Sequence, residues 1–304
     1  MSRPIIIGLA LREDDAAPIA LGRTVARLTD APLVLATAYP PGSLYPIADP
    51  EYARALTGDA RRALESVAAP LRAHHDVSVE VAPGTRAGAL HAVAERAGAS
   101  AIVVGSSHRG AVGRVLAGDV AANLLHGSPC PVLVAPRGYT RTGIDRIGVA
   151  FQDTPEGRAA LDLAAGLAAV RGASLKLVTV VAPEVYTGAA MVPGWTMGST
   201  ELRDMMVEVA QRAADGALHR LDPGAPATAE VRHGPVVGAL AAFSEEVDLL
   251  VTGSRGYGAL HGVIAGSVSR GLAHLSAAPL LVVPPARATG DDTTEHMEAL
   301  SILL

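Results

Sequence analysis

Glycines and prolines recur along this chain at one fixed separation. Gly105 lies 148 residues before Gly253, and the same step carries Gly118 to Gly266, Pro131 to Pro279 and Pro136 to Pro284. Residues that punctuate the backbone do not keep such a register by accident, so the chain is a tandem repeat of one domain, each copy about 140 residues long. The segment Arg137–Gly143, RGYTRTG, has linker composition and sets the boundary near residue 140. The expected division is one domain over 1–140, a second over 141–286, and a disordered tail over 287–304.

Within the first copy, apolar runs of strand length fall at Ile5–Ala10, Leu33–Tyr39, Val77–Ala82, Ala101–Gly105 and Val132–Pro136. Alanine-rich segments of helical period separate them, at Pro18–Leu28, Tyr52–Leu71, Ala87–Ala97 and Val120–His126. The second copy repeats the order, with strands at Arg146–Phe151, Ser174–Val181, Ala229–His233, Leu249–Gly253 and Leu280–Pro284. Its first helix carries explicit boundary signals: Thr154 as the cap, Pro155 at the first helical position, Glu156 in the first turn and Gly172 past the end. Strands alternating with helices imply parallel βαβ units. The fold class predicted is α/β: two tandem open-sheet, Rossmann-like domains, each a five-stranded parallel sheet with helices on both faces.

Composition agrees and narrows the partners. Hydrophobic residues make up 49% of the chain but aromatics only 3%, so the core is Ala, Val and Leu, which suits helices laid over buried parallel strands. A net charge of −5 with no basic cluster argues against nucleic acid or an anionic membrane as partner. Cys130 is the single cysteine, which excludes an internal disulfide framework and a cysteine zinc site. The start of the chain lacks the apolar stretch of a signal peptide, and no apolar run approaches 18 residues, so the expectation is a cytoplasmic protein.

The chemistry is concentrated in Leu249–Arg270, LLVTGSRGYGALHGVIAGSVSR. A short strand ends at Gly253, glycines and serines follow, and a helix is predicted from near Ser267. Glycines after a strand permit positive φ and let a ligand approach the amides closely, and the helix N-terminus beyond offers unpaired N–H groups to a phosphate. The spacing is neither a P-loop, since the one lysine is Lys176, nor a dinucleotide fingerprint, which would follow the first strand of its domain. Gly253, Gly256, Gly266 and Ser267 spell G-2x-G-9x-G-S. This closely resembles the ATP-binding motif of the universal stress protein family, G-2x-G-9x-G-[ST], and the resemblance covers both copies. It implies an adenine-nucleotide α-hydrolase-like fold, ATP as ligand with magnesium as an optional companion, and a stress-response regulator without classical catalysis.

Three loops of the second copy should meet at the carboxyl ends of its strands: Phe151–Thr154, Val180–Pro183 and Gly253–Ser269. The candidate nucleotide-binding residues are Gln152, Val180, Gly253, Arg255, Gly256, Gly266, Ser267, Val268 and Ser269. Ser267 and Ser269 offer hydroxyls and amides, alternatives to which are ordinary capping roles. Arg255 and Arg270 have guanidinium groups able to pair with phosphate or simply to face solvent. His261 has no second ligand at metal spacing. The resemblance implies an Asp at the end of strand one; repeat alignment puts Gln152 there in the second copy and Arg12 in the first, with a two-residue slip open, and Asp153 able to substitute. The long connection Pro183–Thr200 either folds over a bound base or is a surface insertion.

The first copy departs from the motif. His108 replaces the second glycine and Asp119 the serine; an aspartate capping the helix would occupy the amides a phosphate needs and repel it. The first copy is therefore expected to be degenerate. Beside nucleotide binding stand two alternatives: a slow ATPase or adenylyl-transfer enzyme, for which no H-x-G-H or S-G-G-x-D-S signature is present, and a dimerisation scaffold pairing through the last strands of the copies. The resemblance implies that strand pairing inside the chain and a homodimer besides.

Overall fold

The computed structural model describes residues 2–11, 15–39, 50–107, 111–125, 127–183, 198–222, 224–254 and 267–284. The first half contributes β1 (Ile5–Gly8), α1 (Ala16–Thr29), β2 (Leu33–Tyr39), α2 (Pro50–Leu71), β3 (Val77–Pro83), α3 (Arg86–Ala97), β4 (Ala101–Gly105), α4 (Asp119–Leu124) and β5 (Val132–Ala135). The second contributes β6 (Arg146–Ala150), α5 (Pro155–Arg171), β7 (Ser174–Val181), α6 (Ser199–Leu218), β8 (Ala227–His233), α7 (Val236–Phe243), β9 (Leu249–Gly253), α8 (Ser267–Leu275) and β10 (Leu280–Val283). Each half is an alternating α/β unit whose strands pair in parallel. Thr154 caps α5 by accepting from the Gly157 amide at 3.1 Å, and Gly172 ends it with φ 65°, as the local sequence requires.

All ten strands form one sheet, in the order β3-β2-β1-β4-β5-β10-β9-β6-β7-β8. The halves join where β5 runs antiparallel to β10, with Leu280 opposite Val134, Leu281 opposite Leu133 and Val282 opposite Val132. The last strands VLVA and LLVV are buried along their whole length because this pairing removes two edges that would otherwise be open and apolar. The outer strands β3 and β8 are instead half-exposed and mix Glu, Ser and Arg among their valines and alanines. Side chains alternate across the sheet. Ile5 and Ile7 enter one apolar layer under α1, α2, α5 and α6, and Ile6 enters the other under α3, α4, α7 and α8.

Two readings of the sequence change here. The pairing places Ile5 opposite Ala101 and Ile147 opposite Leu249, so the first strands of the copies are 142 residues apart (5 to 147), and the counterpart of Gln152 is Ala10 rather than Arg12. Arg12 and His108 themselves lie outside the described residues. The segment 137–143 is not a loose tether either. Tyr139 is buried in the layer beneath α1 and α5, and Arg141 pairs with Asp248. Residues 184–197 of the long connection, and the tail from residue 285, lie outside the described residues.

Candidate functional site

In an open sheet, adjacent strands whose connections leave in opposite directions open a crevice at their carboxyl ends. In the second half that point is between β6 and β9. A cavity of about 170 Å³ sits there. Its walls come from the end of β6 (Ala150 to Gln152), the end of β7 (Val178 to Val180), Thr252 and Gly253 of β9, the start of α5 (Thr154, Glu156, Gly157), Val236 and Leu240 of α7, and Val268 and Ser269 of α8. Of the sequence candidates, five line it: Gln152, Val180, Gly253, Val268 and Ser269. Arg255, Gly256, Gly266 and His261 lie outside the described residues.

Two glycines shape the crevice by letting backbones touch. A Cβ on Gly157 would stand 1.9 Å from the Gln152 carbonyl oxygen, so the turn from β6 into α5 closes only over a residue without a side chain. A Cβ on Gly253 would stand 2.6 Å from the Glu156 carbonyl oxygen. Gly253 is not one of the glycines with positive φ. Its requirement is therefore packing of β9 against the first turn of α5, where the motif suggested conformational freedom.

The exposed Gln152 side chain is at the cavity, while its carbonyl accepts from the Thr154 amide at 2.7 Å. Asp153, the suggested substitute, is committed elsewhere: it accepts from Arg158 Nε at 2.7 Å, and that hydrogen bond holds its carboxyl below the ordinary aspartate range. The wall residues at this strand end, Ala150, Phe151 and Gln152, carry no charge. On α8, Ser267 is the first helical residue and is exposed, Val268 and Ser269 face the cavity, and Ser269 is buried. The sequence alone ranks Ser267 and Ser269 by motif position; the structure divides them by exposure, Ser267 at the solvent side of the helix start and Ser269 within the wall. Arg270 is exposed and does not line the cavity.

The first half differs at the same place. Gly118 is the N-cap of α4, in extended backbone, and Asp119 is the first helical residue. No side chain caps this helix, so the expectation that Asp119 fills the anion site as a cap is corrected: its charge stands in the first turn, favourable to the helix dipole and unfavourable to phosphate, without ligating the amides.

A buried charge escaped sequence reading. Asp248, just before β9, accepts from the amides of Asp145 at 3.2 Å and Arg146 at 3.0 Å, from Arg146 Nη2 at 3.0 Å and from Arg141. Burial works to raise its carboxyl, but the Arg146 hydrogen bond, the Asp145 amide and both guanidinium charges outweigh it and hold it below the usual range. The 148-residue step leads from Asp248 to Ser100, whose hydroxyl donates to the Pro4 carbonyl at 3.2 Å. A polar residue at one repeat position in both copies was the available signal. No group of three or more His, Cys, Asp or Glu able to hold a metal occurs among the described residues.

Comparison with known proteins gives a consistent picture. The model of the universal stress protein family matches residues 1–136 and 143–284. A universal stress protein of Mycolicibacterium smegmatis is 26% identical over 298 residues, covering 92% of this chain and 97% of the relative. One of Mycobacterium tuberculosis is 25% identical over 303 residues, covering 92% and 99%. Among solved structures, a universal stress protein from Archaeoglobus fulgidus superimposes with a TM-score of 0.68 at 20% identity, covering 94% of this chain and 99% of that one.

Proposed function

We propose that this chain, which belongs to the universal stress protein family, holds one adenine nucleotide, ATP, in the crevice of its second half and acts through that occupancy rather than through catalysis. The carrying observation is the meeting of a crevice between β6 and β9 with the amide end of α8, whose Val268 and Ser269 form part of the wall. The wall supplies both kinds of contact a nucleotide needs. Val180, Val236 and Leu240 offer apolar surface for a base, and Gln152, Thr154 and Thr252 offer hydrogen-bonding groups for base or ribose. The phosphates would lie toward Gly253, Arg255, Gly256, Gly266, Ser267, Val268 and Ser269, drawn by helix amides and dipole. Magnesium arriving with ATP would travel on the phosphate oxygens, with Glu156 as the carboxylate among the described wall residues.

This reading includes cytoplasmic residence and a homodimer. Among the described residues, no helix is long and apolar enough to cross a membrane. The scaffold reading is favoured by one observation, the antiparallel β5–β10 seam, which joins the halves through backbone strand pairing. The two readings part on a titration. Calorimetry with ATP should show binding in the parent and a loss of about tenfold to a few hundredfold in Ser267→Asp, because a carboxylate replaces a donor beside the phosphates. Circular dichroism of the variant should be unchanged, since Ser267 is exposed. Equal affinity in parent and variant would leave the scaffold reading in place.

A further inference from the structure

The segment between β4 and α4 of the first half holds the same place in its half that the proposed phosphate loop holds in the second. Of its described residues, 106–107 and 111–118, the second stretch reaches the other half at the far end of α8 and at Glu245. The Val115 amide donates to the Ser276 carbonyl at 2.7 Å and the Ala117 amide to the Ala273 carbonyl at 2.6 Å. Arg114 donates from Nη1 to the Leu275 carbonyl at 3.2 Å and from Nη2 to Glu245 at 2.6 Å. The Val115 side chain is fully buried at this contact. On its own side the segment is tied down: the Leu116 carbonyl accepts from the Ser107 amide at 2.7 Å, and the Gly113 amide donates to the Arg137 carbonyl at 2.8 Å.

These contacts fall on carbonyls that a helix cannot satisfy by itself, and a cation there complements the negative end of the dipole. Helix α8 has nine residues. A helix so short has little stability of its own, so its position is set by whatever grips it. Its amide end forms part of the crevice wall through Val268 and Ser269, and its carbonyl end is gripped by the first half.

We propose that Arg114 and the amides of Val115 and Ala117 are positioning groups for the nucleotide crevice: the loop of the first copy has become a clamp on the carbonyl end of α8, coupling ligand binding in the second half to the first. The proposal rests on the reading of the crevice as a nucleotide site. Nine residues make a rod of about 13 Å. A displacement at the clamped end therefore reappears at the amide end, where hydrogen-bond geometry to phosphate is exacting. Coupling of this kind is reciprocal, so a nucleotide at the amide end must also stabilise the clamp.

The test pairs ATP calorimetry on the parent and Arg114→Ala with hydrogen exchange of residues 111–118 in the parent, with and without ATP. Arg114→Ala should weaken ATP binding about threefold to tenfold, with its melting temperature close to the parent's. A purely structural brace would lower the melting temperature and leave the affinity of the folded protein alone. ATP should slow exchange of the Val115 and Ala117 amides, a measurement that needs no variant to fold. If the parent binds ATP, but Arg114→Ala binds it equally well and exchange over 111–118 is indifferent to ATP, the clamp is overturned and the nucleotide reading stands. If the parent binds no ATP, the nucleotide reading fails and takes the clamp with it.

Discussion

Gly253 and Glu156 meet backbone to backbone: a Cβ on the glycine would lie 2.6 Å from the glutamate's carbonyl oxygen and 2.8 Å from its carbonyl carbon. Neither atom belongs to a side chain that can rotate away. Gly253→Ala must therefore push β9 and α5 apart, at a cost of about 1–3 kcal/mol, and widen the crevice between them. The repeat supplies the control. At Gly105, one repeat earlier, a Cβ would meet only the Pro18 ring, Cδ at 3.3 Å and Cγ at 3.4 Å, so Gly105→Ala should cost much less. Urea denaturation of both variants measures the difference; equal losses would show that the Glu156 contact is not the reason for the glycine.

The Asp248 carboxylate is the acceptor for two backbone amides and for Arg146, with Arg141 beside it. Asp248→Ala leaves those amides without an acceptor next to a buried position and should cost about 2–3 kcal/mol at pH 7. The pH dependence follows from the lowered carboxyl. A group with a depressed folded pKa contributes its stability fully above its unfolded value, about 3.9 for aspartate, and loses it as the pH falls through the folded value. The gap in unfolding free energy between parent and variant should thus be full at neutral pH and narrow in acid. A gap that stays constant into acid would show that the carboxylate charge is not what stabilises the node.

Only the second half carries the complete G-2x-G-9x-G-S pattern, and the first presents Asp119 in the first turn of α4. ATP calorimetry should give one site per chain. Asp119→Ser removes the repelling charge and, combined with His108→Gly, should create weak second-site binding at most. Two equivalent sites in the parent would contradict the role given to Asp119.

Cys130 is buried in the layer under α3 and α4 and precedes β5. A thiol in that position behaves as a small apolar group. It should resist thiol reagents in the folded protein and react on unfolding. Cys130→Ser should leave ATP binding unchanged while costing stability on the order of 1–3 kcal/mol for a buried hydroxyl. Rapid labelling of the native fold would refute this.

What the sequence determined by itself was everything carried by local pattern and repetition. Strands β2, β4, β7 and β9 match their predicted runs residue for residue. Of these, β2, β4 and β9 are buried over most of their length, where a strand covered on both faces reads as a near-continuous apolar run, and β7 departs from that only at its exposed Ser174 and half-exposed Lys176 and Thr179. Thr154, Pro155 and Gly172 bound α5 where capping chemistry requires. The seam between β5 and β10 was expected only through the family resemblance, as cover for two open apolar edges. The tertiary structure decided matters of partnership between residues far apart in the chain. Gly253 is a glycine because of Glu156, 97 residues earlier (253 to 156). Asp248 is charged because Arg141 and Arg146 close over it, and segment 137–143 is anchored rather than free for the same reason. The loop of residues 111–118 looks like a degenerate ligand loop until the carbonyl end of α8 is seen against it. Periodicity records which face of an element is buried; it holds no record of which backbone will come to lie on that face. That is settled only when the sheet closes at β5 and β10 and brings both halves together.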